Sequence, residues 1–363
     1  MPYEAELAHA LLTVTRATLL TRRVFTSSTK GTLSKTDTSP VTIGDFGAQA
    51  LIISSLRHAF PNDAIIAEEE SSSLASNPTL TSEILSLVSS TSLSPEEEAR
   101  LGGSIKDESQ LLSLLDMGKS TGGPSGRVWA LDPIDGTKGF LRGGQYAVCL
   151  ALIEDGDVKV GVLGCPNLPL SDTAPLPTSA PDPDDASTGV LFSATLGGGA
   201  SSRPLTHTSS KPQTDGVKTI HMHSLQPDNI PNATFCESVE AAHSSHSDSS
   251  AIAELLHIPL SQSVRMDSQA KYGSIARGAG DIYLRLPVPG KGYVEKIWDH
   301  AAGDLIVREA GGVVTDARGQ NLDFGRGRRL EGNTGVVAAP QGVHDVVIKA
   351  VREVLEGKKD VDR

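Results

Sequence analysis

Acidic side chains fall at four separate places in the chain, each where a predicted strand ends or a predicted helix begins. They are Asp45, the three glutamates at 68–70, the pair Asp132 and Asp135, and Asp299. Because strand ends converge at one edge of a sheet, side chains that are distant in sequence can meet there. Carboxylates that meet at one point repel each other unless a cation neutralises them. Oxygen ligands favour Mg²⁺, Mn²⁺ or Ca²⁺, and no Cys or His group in the sequence has zinc-finger spacing.

The most informative segment is the sequence Asp-Pro-Ile-Asp-Gly-Thr at 132–137. Pro133 predicts a turn after the strand and removes one backbone N–H. We expect Asp132 and Asp135 to point into one cavity, with the carbonyl of Ile134 as a third oxygen ligand. The Gly-Thr that ends the segment predicts the start of a helix, whose free N–H groups can bind phosphate. Asp-Pro and Asp-Gly are also ordinary turn dipeptides, so this segment alone leaves a purely structural role open.

Helices and strands alternate along both halves of the chain, which predicts a mixed α/β (α+β) fold. Apolar spacing predicts helices over about 7–19, 45–60, 84–88, 111–115, 251–256 and 268–279, one beginning at 298, and one over 343–354. Short apolar runs predict strands at 64–67, 128–131, 146–153, 158–163, 281–286, 313–315 and 335–339. Two stretches rich in Pro, Gly and Ser, 171–188 and 197–213, are typical of loops. A composition break near 214 predicts two units, 1–214 and 215–363.

Composition excludes several classes of function. The chain has 363 residues and a formal net charge of −12, which argues against electrostatic binding of nucleic acid or an anionic membrane. A small anionic ligand stays possible, because a metal ion can invert the local charge. The sequence has three cysteines and no run of 18 apolar residues. We therefore expect a cytoplasmic monomer without disulfides.

Four motifs occur in an order that identifies a family. They are Asp45, Glu69-Glu70, the segment 132–137, and Trp298-Asp299-His300-Ala301-Ala302. In this the chain resembles the lithium-sensitive, Mg²⁺-dependent phosphatases that include inositol monophosphatase and fructose-1,6-bisphosphatase. The resemblance covers most of the chain and implies a layered α-β-α-β-α fold with two subdomains.

Further motifs resemble one branch of that family, the 3′(2′),5′-bisphosphate nucleotidases of the fungal salt-tolerance type. They are Ser39-Pro40-Val41-Thr42, Thr137-Lys138-Gly139-Phe140-Leu141-Arg142-Gly143, His243-Ser244-Ser245-His246 and Asp267-Ser268-Gln269-Ala270-Lys271-Tyr272. The Asn-Phe-X-His-Gly continuation that is usual in inositol monophosphatases is absent after Thr137. The resemblance implies removal of the 3′-phosphate from adenosine 3′,5′-bisphosphate, and from its 5′-phosphosulfate form, in the pathway of sulfate assimilation.

The resemblance also implies roles for particular residues. Two or three Mg²⁺ ions would be bound by Glu69, Asp132, the Ile134 carbonyl, Asp135 and Asp299. The attacking water would be oriented or activated by Asp45 and Thr137. Contacts to the nucleotide would come from Thr137, His243, Ser268, Lys271, Arg285 and Asp299. The chain departs from the family pattern at Glu68, where a Gly is usual, so the register of the three glutamates rests on the serines that follow them.

Two alternatives remain beside the nucleotidase. An inositol polyphosphate 1-phosphatase or inositol monophosphatase would share the metal site and differ in the substrate pocket, which the region 243–285 would form. A non-catalytic sensor of divalent cations or nucleotide would have lost a base or a ligand, yet every catalytic motif position is occupied.

Overall fold

The computed structural model describes residues 2–27, 33–34, 40–173, 187–205, 216–239, 245–287 and 293–361. The α-helices are α1 (Glu4–Thr26), α2 (Ile43–Ala59), α3 (Ser72–Ala75), α4 (Pro78–Ser89), α5 (Pro95–Arg100), α6 (Glu108–Asp116), α7 (Thr137–Arg142), α8 (His246–Leu255), α9 (Ala270–Ala276), α10 (Ala301–Glu309) and α11 (His344–Val361). Short 3₁₀ helices cover Pro227–Asn232, Leu260–Gln262, Ile297–Asp299 and Phe324–Arg326.

Two sheets contain almost all of the strands. The strands are β1 (Leu33–Ser34), β2 (Pro40–Val41), β3 (Ala64–Ala67), β4 (Arg127–Asp135), β5 (Ala147–Glu154), β6 (Asp157–Pro169), β7 (Thr188–Thr195), β8 (Gly199–Pro204), β9 (Lys218–Thr219), β10 (Phe235–Glu237), β11 (Val264–Arg265), β12 (Ile282–Arg285), β13 (Gly312–Thr315) and β14 (Val336–Pro340). The larger sheet runs β3 to β9 in sequence order and is antiparallel except for the β3–β4 pair. The smaller sheet has the order β11-β10-β12-β14-β13.

Three main clusters of buried apolar side chains lie between five layers of secondary structure, and one of them covers both faces of the middle layer. Strand residues alternate between the two faces of a sheet, so Trp129 packs with α1 and α2 whereas Ala130 faces α9 and α10. One face of the smaller sheet also packs on α9 and α10, and its other face packs on α8 and α11. The order is therefore helix, sheet, helix, sheet, helix, which confirms the predicted α-β-α-β-α class.

Most predicted elements are confirmed, many with wider limits than predicted, and four differences change the interpretation of a segment. β4 continues through Asp135 instead of turning at Pro133. The helix predicted from 298 begins at Ala301, because Ile297–Asp299 form a 3₁₀ turn before it. The helix predicted over 268–279 is the shorter α9, since Ser268 has a φ of 69° that no α-helical residue adopts. Within the stretch predicted as a loop over 197–213, Gly199–Pro204 is strand β8.

The predicted unit boundary at 214 and most of the predicted loop 171–188 lie outside the described residues. β9, which follows that boundary, still pairs with β8 of the larger sheet. The division into two units therefore stays a prediction. In the part of the chain that the structure describes, no helix combines the length and apolarity needed to span a bilayer.

Close packing of α10 on β6 gives a testable consequence. A Cβ added at Gly161 would lie 2.7 Å from the carbonyl oxygen of Ala302, a backbone atom that cannot move independently. We expect Gly161→Ala to lower the free energy of unfolding by about 1–3 kcal/mol, the usual cost of overpacking. Urea denaturation followed by circular dichroism measures the change.

Gly357 provides the matched control, because it lies in α11 and a Cβ there would meet no atom within 4 Å. Gly357→Ala should raise the free energy of unfolding by up to about 1 kcal/mol through helix propensity. A Gly161→Ala variant with the wild-type urea midpoint would contradict the packing described here.

Candidate active site

Three aspartates converge between the two sheets. One carboxylate oxygen from each of Asp132, Asp135 and Asp299 lies within 4.8 Å of the others. The first two come from the end of β4, and the third ends the 3₁₀ turn that precedes α10. The structure therefore brings together acidic residues that are more than 160 positions apart in the sequence. We call this group the aspartate cluster.

The end of β4 shapes the cluster. The β4–β5 pairing shifts register between Asp132 and Asp135. β3 pairs with β4 only as far as Leu131, so the missing N–H of Pro133 falls beyond that pairing. The strand therefore continues past Pro133, and the predicted turn after the strand was wrong. A bulge inside the strand changes the direction of the side chains instead.

The segment 132–137 also holds itself in place. Asp132 Oδ1 accepts a hydrogen bond from the Ile134 N–H (3.1 Å), and Thr137 Oγ1 donates to the Ile134 carbonyl (3.1 Å). Gly136 has a φ of 88°, a left-handed value that suits glycine, and α7 begins at the next residue as predicted. The Ile134 carbonyl has a second lone pair, which leaves it able to act as a metal ligand.

Burial and mutual repulsion make the aspartate cluster resist ionisation. Burial raises the pKa of Asp132 well above its usual range, and the charges of Glu68, Asp135 and Asp299 add to the rise. Burial likewise raises the pKa of Asp299 well above its usual range, against the effect of Arg285. The pKa of Asp135 is raised to about 6 by burial, with Lys271 and the Gln269 N–H opposing the rise. A bound cation would favour the charged forms, and the all-oxygen donor set fits a hard divalent ion.

Asp45 lies beside the cluster at the start of α2. Its Oδ2 accepts hydrogen bonds from the N–H (2.8 Å) and Oγ1 (2.6 Å) of Thr42, which form a capping box. The side chain is fully buried, and its charge helps to raise the pKa of Asp132. The capping box thus fixes a buried carboxylate whose charge acts on Asp132.

The three glutamates after β3 differ in their surroundings. Glu69 is buried, and its backbone is held on both sides by the Gln49 amide, at 2.9 Å from the Glu69 N–H and 2.7 Å to its carbonyl. Glu68 is half-buried, and its charge raises the pKa of all three cluster aspartates. Glu70 is exposed. Glu69 as a metal ligand stays a prediction, and Glu68 is an additional acidic neighbour of the cluster.

The loop before α9 joins the cluster to Lys271. The Gln269 N–H donates to Asp135 Oδ2, while the Gln269 side chain binds the Trp298 carbonyl (2.8 Å) and the Gly303 N–H (2.9 Å). Lys271 is buried, and its Nζ donates to the carbonyls of Met266 (3.2 Å) and Ser268 (2.8 Å). Burial lowers the pKa of Lys271 to about 8. Gln269 belongs to the motif 267–272 but had no predicted role, and its contacts position residues on both sides of the site.

Arg285 stands at the end of β12 with a partner that the sequence did not indicate. Its Nε lies 2.7 Å from Glu295 Oε2, and its guanidinium lies 5.8 Å from the centre of the Tyr293 ring. Burial acts to raise the pKa of Glu295, but Arg285 and His300 outweigh it and hold that pKa at about 2. No spacing rule points to Glu295, because it comes from a loop and pairs with a strand residue across space.

Two remaining predictions concern His243 and Trp298. His243 lies outside the described residues. Trp298 is predicted to be a packing anchor, and its buried ring lies 4.8 Å from the guanidinium of Arg328. Arg328 in turn donates to the carbonyls of Ala67 (2.7 Å) and Gly118 (3.0 Å). Trp298 thus packs on a side chain that ties the end of β3 to the Asp299 turn.

All three cysteines are buried and free, as expected from the sequence. Burial raises the pKa of Cys149 well above its usual range and that of Cys236 to about 12. Buried neutral thiols are weak nucleophiles, so the chemistry of the site comes from its oxygen groups.

Known proteins resemble this chain in sequence and in fold. The profile of the inositol monophosphatase family matches residues 4–356. A 3′(2′),5′-bisphosphate nucleotidase of Emericella nidulans is 60% identical over 98% of this chain and 100% of its own length. A 3′(2′),5′-bisphosphate nucleotidase of Schizosaccharomyces pombe is 46% identical over 98% of this chain and 97% of its own.

Solved structures show the same architecture. The inositol monophosphatase of Thermotoga maritima superposes with a TM-score of 0.59 at 20% identity, covering 97% of this chain and 99% of its own. The inositol monophosphatase of Anabaena superposes with a TM-score of 0.54 at 17% identity, covering 97% of each chain. At these identities the likeness shows the fold alone.

The family match and these relatives identify a phosphatase, and the five-layer fold is the one that its structural neighbours share. The chain belongs to the inositol monophosphatase family, and the family resemblance predicted from its motifs is confirmed.

Because the carboxylates of the aspartate cluster repel one another, removing one charge should raise stability without a cation and reduce the stabilisation by Mg²⁺. Asp132→Asn keeps the Oδ1 acceptor for the Ile134 N–H but removes one charge. We expect the variant to melt about 1–2 °C above wild type in EDTA, since a relief of about 1 kcal/mol is divided by an unfolding entropy of about 2.1 cal/mol/K per residue over 363 residues. The rise in melting temperature on adding Mg²⁺ should shrink at least by half, because binding to the native state is what raises it.

Glu98→Gln is the control, since Glu98 forms a buried ion pair with Arg16 (2.9 Å). That variant should lose stability in EDTA and keep the full Mg²⁺ response. An Asp132→Asn protein that melts below wild type in EDTA would show that the three carboxylates do not repel one another in the native state.

Proposed function

We propose that the protein is a Mg²⁺-dependent phosphomonoesterase that removes the 3′-phosphate of adenosine 3′,5′-bisphosphate, giving AMP and phosphate. The observation that carries the proposal is that the aspartate cluster has two cations close to it, the buried Lys271 and the half-buried Arg285, whose charges act on Asp135 and Asp299. The names of the relatives at 60% and 46% identity support the same substrate class. Action on 3′-phosphoadenosine 5′-phosphosulfate follows from the same groups, because only the uncleaved end differs.

The carboxylates supply the metal site in this proposal. Two or three Mg²⁺ ions would be held by Glu69, Asp132, the Ile134 carbonyl, Asp135 and Asp299. Bound Mg²⁺ lowers the pKa of a water molecule and stabilises negative charge on the phosphoryl and leaving oxygens.

Thr137 and Asp45 would orient the attacking water. The Thr137 hydroxyl donates to the Ile134 carbonyl (3.1 Å), so its oxygen lone pairs are left to accept a hydrogen bond that orients the water. Asp45 is held by its capping box and would take the proton of the attacking water as general base. No phosphoryl-enzyme is required, because neither a Cys nor a Ser stands in a nucleophile motif.

Contacts to the uncleaved part of the substrate would come from the second group of residues. Arg285 binds a phosphate with two parallel hydrogen bonds and Lys271 acts as a point charge. Ser268, His243 and Asp299 would contact the nucleoside. We also propose that residues 1–214 and 215–363 act as two subdomains, which is supported by the assignment of most strands of each sheet to one of these ranges.

A panel of phosphate-release assays tests the substrate. With Mg²⁺ present, we expect kcat/KM for adenosine 3′,5′-bisphosphate to exceed that for inositol 1-phosphate and inositol 1,4-bisphosphate at least a hundredfold. Inositol 1-phosphate lacks a second anion, and a site built to bind one loses about 1.5–3 kcal/mol for each charge-assisted hydrogen bond left unmade. Inositol 1,4-bisphosphate carries its second phosphate on the ring itself, so that phosphate reaches a different position from the 5′-phosphate of the nucleotide. Preference for an inositol phosphate would overturn the nucleotidase and favour the runner-up, an inositol (poly)phosphate 1-phosphatase.

Isotope transfer tests the route of attack. A reaction in H₂¹⁸O under single-turnover conditions should place one ¹⁸O atom in the phosphate released, because water attacks phosphorus directly. A control reaction in ordinary water followed by transfer into H₂¹⁸O measures exchange after release. Phosphate without ¹⁸O in the first turnover would instead show that water attacks carbon and that the C–O bond breaks, which contradicts attack at phosphorus, and mass spectrometry distinguishes the two results.

A further inference from the structure

A buried chain of polar groups leads from the core of the protein to Arg285. The hydroxyl of Tyr272 lies 2.8 Å from His300 Nδ1, and His300 Nε2 lies 3.0 Å from Glu295 Oε2. The same Glu295 oxygen lies 2.7 Å from Arg285 Nε. None of these contacts is used by the proposed chemistry, although the chain ends on a residue that would bind substrate.

The inner end of this chain is fixed by packing. His300 is fully buried, and Tyr272 is 1% exposed. A Cβ at Gly303 would lie 2.3 Å from the Tyr272 ring, so α10 contacts that ring without any space between them. Tyr283 packs edge-on against the same ring with the centres 4.9 Å apart. The tyrosine therefore offers its hydroxyl to His300 from a position that the core determines.

The outer end sets the direction of the Arg285 guanidinium. Glu295 Oε2 lies 2.7 Å from Arg285 Nε at an angle that makes no hydrogen bond, so the contact is an ion pair on the Nε side of the guanidinium. The edge formed by the two terminal nitrogens is the one that meets a phosphate with two parallel hydrogen bonds. The Tyr293 ring is largely exposed, and its centre lies 5.8 Å from the guanidinium carbon. The ion pair is therefore the contact that restricts rotation of the guanidinium.

We propose that Glu295, itself oriented by His300 and Tyr272, is a positioning residue that directs Arg285 toward the uncleaved phosphate of the substrate. This inference rests on the proposed function, since it assigns Arg285 to the second anion of a bisphosphate. An arginine that is not held in one orientation must order its side chain on binding, which weakens affinity. Glu295 therefore contributes to binding of substrates with two phosphates without contacting substrate.

Glu295→Gln tests the proposal with two substrates, adenosine 3′,5′-bisphosphate and adenosine 3′-monophosphate. The substitution keeps an oxygen acceptor near His300 and removes the charge that holds Arg285. We expect KM for the bisphosphate to rise about 10- to 100-fold, the effect of weakening one charge-assisted contact. We expect kcat for both substrates, KM for the monophosphate and the Mg²⁺ concentration for half-maximal rate to stay within about twofold, since the proposed metal ligands and catalytic residues do not include Glu295. A Mg²⁺ requirement that rises with KM would instead assign Glu295, which lies within 4.8 Å of Asp299 and His300, to the metal site and overturn the proposal.

A double-mutant cycle separates positioning from a general structural role. Arg285→Ala should raise KM for the bisphosphate at least as much as Glu295→Gln, and the double variant should resemble Arg285→Ala alone, because Glu295 acts through Arg285. The matched control is Glu98→Gln, at the remote ion pair with Arg16 (2.9 Å), which should leave KM for both substrates unchanged. Equal losses for the two substrates, or additive losses in the double variant, would overturn the proposal.

A variant that does not fold and a different substrate preference of the wild type each call for a second measurement. If Glu295→Gln does not fold, judged by its thermal melt, Tyr272→Phe removes only the hydroxyl that anchors His300 and should raise KM for the bisphosphate alone by a smaller factor. If wild-type protein prefers inositol 1,4-bisphosphate, the nucleotidase proposal fails. The positioning role is then decided by the same variants on inositol 1,4-bisphosphate against inositol 1-phosphate.

Discussion

Repulsion among buried carboxylates is the constraint around which this structure is arranged. Asp132, Asp135 and Asp299 place oxygens within 4.8 Å of one another in a region where burial already opposes their ionisation. Such a cluster persists only where backbone groups hold it, as the Ile134 N–H holds Asp132 and the Gln269 N–H holds Asp135. The folded protein therefore holds three carboxylates close together in an arrangement that a bound cation would neutralise. The five-layer architecture provides the rigid elements that hold them.

The two cations beside the cluster, the buried Lys271 and the half-buried Arg285, are balanced in different ways. Lys271 directs its Nζ to backbone carbonyls, so its charge acts on Asp135 and opposes the rise in the pKa of that aspartate. Arg285 has a carboxylate of its own in Glu295, and it also opposes the rise in the pKa of Asp299. Loss of either cation would therefore alter the electrostatics of the aspartate cluster as well as any contact with substrate.

The sequence predicts the acidic side of the site better than the basic side, for a physical reason. Asp132, Asp135 and Thr137 lie in one short segment, where local spacing limits the geometry and a motif is informative. Even there, Pro133 misled the prediction of a turn, because β3 ends before it and a bulge accommodates the missing N–H. No local sequence pattern indicates Glu295, since its role depends on an ion pair with Arg285, a strand residue that is not its neighbour in the sequence. The family resemblance predicted the layered fold, whose packing of α9 and α10 between two sheets is not visible in periodicity alone.

The net charge of −12 is compatible with a phosphorylated substrate once the two sides of the site are considered separately. A phosphate dianion is repelled by the aspartate cluster unless cations lie between them, so the carboxylates favour no phosphate ester over another. Selection among esters must then come from groups that contact the rest of the substrate, which are Lys271, Arg285 and their neighbours. Members of one family can thus share the acidic side and differ in substrate through the orientation of a few cations. In this chain that orientation depends on Glu295, a residue that lies between the two sides and contacts His300, the neighbour of Asp299.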